Sequence, residues 1–353
     1  MKKIVLTGGG TAGHVTPNIA LIPRLREENY GILYIGSYEG IEKNLIENEN
    51  IEYRGISSGK LRRYFDLKNF IDPFKVIKGV FEAKSLLKQY RPDLVFSKGG
   101  FVSVPVVLAA HSLNIPIILH ESDLSPGLAN KIALRFADKI CCNFPETLNY
   151  LPKNKAILTG SPIRKELFSG NREEARKITG FSKEKPVILV IGGSLGSIKI
   201  NHALRSLLPE LLPRFQIIHI CGKGNTDDSL LSVPSYIQYE YVDSALKDLL
   251  ALADLMISRA GANVISEILA LKKPNILIPL SASASRGDQI LNADSYKKQG
   301  FSYVLEEEML SDESLLAAIS FVQSNKEEYI ENMKRFSGED AVEKIISLIK
   351  ELS

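Results

Sequence analysis

The sequence predicts an α/β protein made of two doubly wound, parallel-sheet, Rossmann-like domains. Short β-branched runs alternate with amphipathic stretches, the alternation restarts at Pro186, and each half opens with a strand, a glycine turn and a helix. The length of 353 residues agrees with two domains, because single cores stop growing at roughly 250–300 residues.

In chain order, Lys3–Leu6, Ile32–Ile35, Leu94–Phe96, Ile117–Leu119 and Lys139–Cys142 read as buried strands of the first domain. Their near-continuous apolar character is what a strand covered on both faces requires. Val187–Ile191, Gln216–Cys221, Leu255–Ser258, Asn275–Pro279 and Phe301–Leu305 repeat the pattern in the second. Between the halves, TGSPIRKEL carries Gly160 and Pro162, which break regular structure and suit a hinge. The expected domains are therefore residues 1–160 and 161–335. A terminal helix over 336–353 carries Val342, Ile345, Ile349 and Leu352 on one stripe and is expected to pack back on the first domain.

Hydrophobic residues make up 44% and charged residues 24%, which fits a folded globular body. A net charge of +3 on 44 basic and 41 acidic residues is too balanced to imply nucleic acid. Cys141 and Cys142 are adjacent and Cys221 lies in an apolar run, a pattern of neither a disulfide framework nor a zinc site. A reducing cytoplasm is expected. Only Ile4, Val5 and Leu6 precede the first glycines, too few for a signal peptide, and no run approaches ~18 apolar residues. The protein is expected to be neither exported nor membrane-spanning.

The turns IVLTGGGTAGHVTPNIA and ILVIGGSLGSIKIN suit phosphate, since glycines let a ligand approach the backbone and a helix N-terminus follows. The spacing from Gly8 to Gly13 fits a P-loop, but His14 and Val15 stand where Lys and Ser/Thr are obligatory. Gly8, Gly10 and Gly13 also fit the dinucleotide pattern. The second strand, however, ends Ile35-Gly36-Ser37 without a ribose-binding acid, which leaves a weak oxidoreductase alternative. Gly192-Gly193-Ser194-Leu195-Gly196 matches a nucleophile elbow. Only His202 and His219 follow it, with Glu210 between them, and neither histidine suits a triad, so a hydrolase is rejected. Ser194 reads instead as a hydroxyl beside a phosphate.

Seven strings then coincide, in order, with one family: TGGGTAGHVTPN, SKGGFVSVP, HESDLSPGLANK, TGSPIRKEL, IGGSLGSIKIN, SRAGANVISEILA and RGDQILNA. From Thr7 to Ala293 the chain resembles the MurG family. The resemblance implies a GT-B architecture, two Rossmann-like domains facing a cleft, and inverting transfer of N-acetylglucosamine from UDP-N-acetylglucosamine to lipid I, giving lipid II. It implies donor contacts from Thr11, Ala12, Gly13, Arg164 and Ser194, with Val242 near uracil. Ala262, Asn263 and Val264 would open a helix at the diphosphate, Glu267 would take ribose hydroxyls, and Gln289 and Asn292 would take sugar hydroxyls. Gly10, Gly99, Gly100 and Asp123 would lie on the acceptor side. For the general base there are two candidates. His14 sits where a helix dipole favours a neutral imidazole, and Glu121 ends a strand from which it would project into the cleft. No DxD-like string is placed to bind metal, so no cofactor is expected and helix dipoles take that role. Ala12, Asp123 and Asp288 stand where the family commonly has Gly, Asn and Gln.

Between Lys60 and Lys84 there are seven basic and three acidic residues, interleaved with Tyr64, Phe65, Phe70, Ile71, Phe74, Ile77 and Phe81. Helical projection puts Val76, Val80, Ala83 and Leu87 on one stripe, with Phe74, Ile77 and Phe81 beside it. Either both stripes are core, or one rests on anionic lipid and holds the protein peripherally at the cytoplasmic face of the cell membrane. Two enzyme alternatives stay open, a diacylglycerol glycosyltransferase and a UDP-N-acetylglucosamine epimerase of this fold. A two-domain solute-binding protein is the non-enzyme alternative, and it usually requires export.

Overall fold

The computed structural model describes residues 1–59, 68–193, 196–283, 285–336 and 340–353, with the backbone alone for 68–73. The chain divides into two compact units, Met1–Arg164 with Gly338–Ser353, and Lys165–Ser337.

The first unit holds strands β1 (Lys3–Thr7), β2 (Gly31–Ser37), β3 (Glu52–Ile56), β4 (Leu94–Ser97), β5 (Ile117–Glu121), β6 (Lys139–Cys142) and β7 (Ala156–Leu158). They form a parallel sheet ordered β3-β2-β1-β4-β5-β6-β7. Val5 pairs with Leu33 on one side and Val95 on the other, and successive side chains alternate between two covered faces. One face sets Val5, Leu33, Val95 and Leu119 under Ala83 and Leu87 of the helix Lys68–Tyr90 and Val106 and Ala110 of the helix Ser103–Ser112. The other sets Ile4, Leu6, Phe96 and Ile118 against Leu21 and Leu25 of the helix Thr16–Glu27. Val342, Ile345, Ile346 and Ile349 of the helix Ala341–Leu352 complete that second layer. Each such buried aliphatic side chain contributes roughly 1.5–3 kcal/mol, which fixes the terminal helix to this unit. Asp340 caps that helix by accepting from Val342 N at 2.8 Å, and Arg24 reaches Glu343 at 2.8 Å.

The second unit holds β8 (Val187–Ile191), β9 (Gln216–Ile220), β10 (Tyr236–Tyr239), β11 (Leu255–Ser258), β12 (Asn275–Leu277) and β13 (Tyr303–Val304), ordered β10-β9-β8-β11-β12-β13 and again parallel. Ile188, Val190, Ile217 and Ile257 pack on Ile200 and Leu204 of the helix Ile198–Ser206 and on Leu315 and Ile319 of the helix Asp312–Ser324.

All ten expected strands are present, in order. The sequence reading missed β3, β7 and β10, and each of them is an edge strand. Glu52, Tyr53 and Arg54 of β3 are exposed or half-buried, so the apolar run that announces a central strand is missing. In both sheets the strand order reverses, between β1 and β4 and between β8 and β11. Ligands of open α/β sheets bind outside the carboxyl ends of the strands at such switch points.

The helix Lys68–Tyr90 separates the two apolar stripes. Ala83 and Leu87 are buried, Val80 is partly buried, and Phe74, Ile77 and Phe81 are 72%, 54% and 69% exposed. The second stripe is therefore not core. Lys60, Tyr64 and Phe65 lie outside the described residues. Among the described residues no helix is long and apolar enough to cross a membrane.

Candidate active site

At the first switch point the turn after β1 is held from below. Asn18 Nδ2 donates to Thr7 O at 3.2 Å, and the buried Tyr34 hydroxyl donates to Gly8 O at 2.8 Å. Gly10 N donates to the buried Glu42 carboxylate at 3.3 Å, which also accepts from Ser37 N at 3.0 Å and Ser37 Oγ at 2.5 Å. Glu42 thus follows β2 near where a dinucleotide fold keeps its ribose-binding acid, but its oxygens are committed to the turn, which removes the oxidoreductase alternative.

Ala12–His14 forms one 3-10 turn ahead of the helix Thr16–Glu27. His14 Nδ1 lies 3.1 Å from Lys98 O. A carbonyl only accepts, so Nδ1 carries the proton, and in the neutral ring Nε2 is the nitrogen with a lone pair. Lys98 opens the loop after β4. Gly100 there has φ +81°, and a Cβ on it would overlap Gly9 O. Glycine is required because the two loops meet backbone to backbone. Thr11 and Gly13 are exposed and Ala12 is half-buried.

The loop after β5 completes this corner. Glu121 is only 4% exposed and accepts from Asp123 N at 3.0 Å, Gly127 N at 3.0 Å and Asn130 Nδ2 at 2.8 Å. Burial pushes its carboxyl up and the charge of Asp123 adds to that, while the three hydrogen bonds oppose both. Its carboxylate is turned back onto residues 123–130. Lys98 is 1% exposed, and its Nζ meets His120 Nδ1 at 2.7 Å and the Ser122 hydroxyl. His120 Nε2 lies 3.0 Å from Gly160 O, so Nε2 is protonated and Nδ1 accepts from the lysine. Burial, then the charge of Lys98, holds His120 well below the usual histidine range. Burial likewise pushes Lys98 down to about 8, against the pull of Glu121 and Asp123.

The second switch point follows the same plan with different chemistry. Gly196, after β8, has φ +76°, and a Cβ there would overlap Cys221 O. Ser197 then caps the helix Ile198–Ser206. Ser194 lies outside the described residues. After β11, Gly261 opens the helix Ala262–Leu271 without a side-chain cap, and Ala262, Asn263 and Val264 form its first turn, an end whose dipole suits an anion. Arg259 ties the corner together. Its Nη2 donates to Ser197 Oγ at 2.6 Å and Glu307 Oε1 at 2.5 Å, and its Nη1 donates to Ile278 O at 3.2 Å. Burial alone would raise the Glu307 carboxyl, but the hydrogen bond and charge of Arg259, with Lys199 beside it, hold it below the usual range. Asn292 is buried and its Nδ2 donates to Ala260 O at 3.3 Å, while Gln289 Oε1 accepts from Leu280 N at 3.0 Å. Glu267 is half-buried farther along the helix Ala262–Leu271, and Val242 is half-buried in the loop after β10. Arg164 ends the Met1–Arg164 segment of the first unit.

His219 is buried, with Nε2 2.9 Å from Asn201 Oδ1 and Nδ1 2.8 Å from the Tyr236 hydroxyl, so it serves no triad. Of the residues the sequence reading named, the structure brings Gly10, His14, Gly99, Gly100, Glu121 and Asp123 to one corner and Ala262–Val264 and Asn292 to the other. It passed over Glu42, Lys98, His120 and Asn130 in the first unit, and Arg259 and Glu307 in the second. Lys98 and Arg259 each sit one or two residues before a glycine in the quoted strings; Glu307 has no such signal.

Residues 4–142 match the glycosyltransferase family 28 N-terminal domain, and residues 187–349 match the family 28 C-terminal domain. A Lachnospira eligens protein named UDP-N-acetylglucosamine--N-acetylmuramyl-(pentapeptide) pyrophosphoryl-undecaprenol N-acetylglucosamine transferase is 62% identical over 353 residues, the whole of both chains. A Lachnoclostridium phytofermentans protein of the same name is 64% identical over 352 residues, covering 100% of this chain and 99% of that one. The crystal structure of Acinetobacter baumannii MurG matches 99% of this chain and 100% of its own with a TM-score of 0.77 at 24% identity, which shows a shared GT-B fold. This chain is accordingly a glycosyltransferase and belongs to the UDP-N-acetylglucosamine--N-acetylmuramyl-(pentapeptide) pyrophosphoryl-undecaprenol N-acetylglucosamine transferase family.

Proposed function

We propose that this chain transfers N-acetylglucosamine from UDP-N-acetylglucosamine to lipid I, giving lipid II, with inversion at the anomeric carbon. The observation that carries the reading is 62% identity, end to end, with a transferase of that name. A direct displacement needs a base for the acceptor hydroxyl and a partner for the leaving diphosphate.

His14 is our choice of base. Its Nδ1 is anchored on Lys98 O, which sets the tautomer in which Nε2 accepts the proton. Glu121 is the weaker candidate, because three donors already hold its carboxylate. It serves instead to shape the loop that carries Asp123. Gly10, Gly99, Gly100 and Asp123 form the acceptor corner in this scheme. The N-terminus of the helix Ala262–Leu271 and the guanidinium of Arg164 receive the developing charge on UDP. Ser194 assists there, Thr11, Ala12 and Gly13 reach the donor, Val242 lies near uracil, Glu267 binds ribose, and Gln289 binds the sugar, with the fully buried Asn292 holding Ala260 O behind it. No metal is required in this scheme, so donor binding survives EDTA.

The exposed stripe Phe74, Ile77 and Phe81, with Lys75, Lys78 and Lys84 on the same helix, is the surface we assign to anionic lipid at the cytoplasmic face of the membrane. The decisive experiment is incubation with labelled UDP-N-acetylglucosamine and lipid I. Labelled lipid II is expected. Intact UDP-sugar binding without transfer would leave only the fold.

A further inference from the structure

The scheme above uses the Lys98 carbonyl and leaves its side chain unexplained. Lysine is almost never fully buried without a partner that compensates its charge. Here the hydrogen-bond partners of Nζ are a histidine and a hydroxyl, His120 and Ser122, both neutral. Ser122, which the ammonium holds, is flanked in the chain by Glu121 and Asp123, and the negative charge of both favours the ammonium form. Glu121 is itself buried, and Asp123 is half-buried two residues further on. Two carboxylates in one partly desolvated corner would repel a diphosphate, and each would raise the other's proton affinity. An ammonium beneath them removes that conflict.

We propose that Lys98 is a positioning residue of the acceptor corner, whose ammonium holds the loop after β5 and offsets the charge of Asp123 so that an anionic diphosphate head group can approach. The proposal rests on the acceptor reading given above. The backbone of Lys98 has a separate task, since its carbonyl holds His14 Nδ1 at 3.1 Å. A side-chain substitution leaves that carbonyl in place, so the two tasks can be told apart.

The test is a double-mutant cycle of Lys98→Met and Asp123→Asn in the full chain, read in two ways. In steady-state kinetics, Lys98→Met raises the KM for lipid I roughly tenfold while the KM for UDP-N-acetylglucosamine moves less than about twofold, and adding Asp123→Asn restores most of the loss. Single effects that simply multiply in the double variant overturn the proposal, as does an equal rise in both KM values. The second reading is the melting temperature of the four proteins without substrate. A double variant more stable than the sum of the single shifts predicts supports the pair whatever the acceptor is, and additive shifts overturn it. A wild-type chain that transfers nothing to lipid I overturns the acceptor reading while this thermal cycle still judges the pair. If Lys98→Met fails to fold alone, recovery by Asp123→Asn is the same coupling, and a double variant that folds no better overturns it.

Discussion

The two switch points share a topology and differ in what their charges do. In the first unit the charged and polar groups form a network around titratable nitrogens: His14 on Lys98 O, Lys98 on His120, and His120 on Gly160 O. In the second unit a guanidinium, Arg259, is locked on Glu307, Ser197 and two strand-end carbonyls, next to an uncapped helix N-terminus. Arginine keeps its proton in any protein environment, whereas histidine and buried lysine exchange theirs. In the scheme proposed above, the first corner handles the acceptor proton and the second keeps a fixed, internally paired positive charge beside the helix end that faces the diphosphate.

The largest test of that contrast is His14→Ala. It is expected to lower kcat on the order of 10²–10⁴-fold with UDP-N-acetylglucosamine binding kept, measured by steady-state kinetics and by calorimetric titration of UDP. An equal loss of UDP affinity would break the division of labour. Next comes Glu307→Ala, which leaves Arg259 buried without its carboxylate. Removing one partner of a buried pair costs about 3 kcal/mol, so a lower denaturant midpoint is expected together with weaker UDP binding. If binding weakens while stability holds, Glu307 is a ligand contact and not the lock described here.

How much of this was legible in the sequence follows from burial. Central strands such as Val187–Ile191 announce themselves because both faces are covered, while Glu52–Ile56, Ala156–Leu158 and Tyr236–Tyr239 stay silent because an edge strand is half exposed. The glycine turns were legible because each half repeats the same strand, turn and helix. The two stripes of the helix Lys68–Tyr90 were visible by period, but period alone does not say which one is buried; Ala83 and Leu87 against Phe74 and Phe81 settle that. The partners of Lys98 and Glu307 were illegible for a different reason. Each acts on a group distant in sequence, Lys98 on His120 and Glu307 on Arg259, and a single chain gives no spacing rule for such pairs.

The smallest effects come from pH, and they carry the same sign at opposite ends of the scale: in both units stability rises with pH. His219 is pushed from 6.5 to about 3 by burial, with Arg205 adding to it, so below 6.5 the unfolded chain takes up a proton that the folded chain refuses. Stability present above 6.5 is lost on acidification, about 2 kcal/mol between pH 6.5 and pH 5. His219→Gln, which cannot protonate, is expected to flatten that part of the melting profile. In the first unit the depressed lysine works at the alkaline end. Lys98 releases its proton near 8 in the fold and near 10.5 in the unfolded chain, so its contribution to stability rises with pH across that window, by about 1 kcal/mol between pH 8 and pH 9. Wild type should therefore gain on Lys98→Met in melting temperature as pH increases from 8 to 9. A difference that stays constant would mean that Lys98 does not titrate there, and the first corner would then be as fixed in charge as the second.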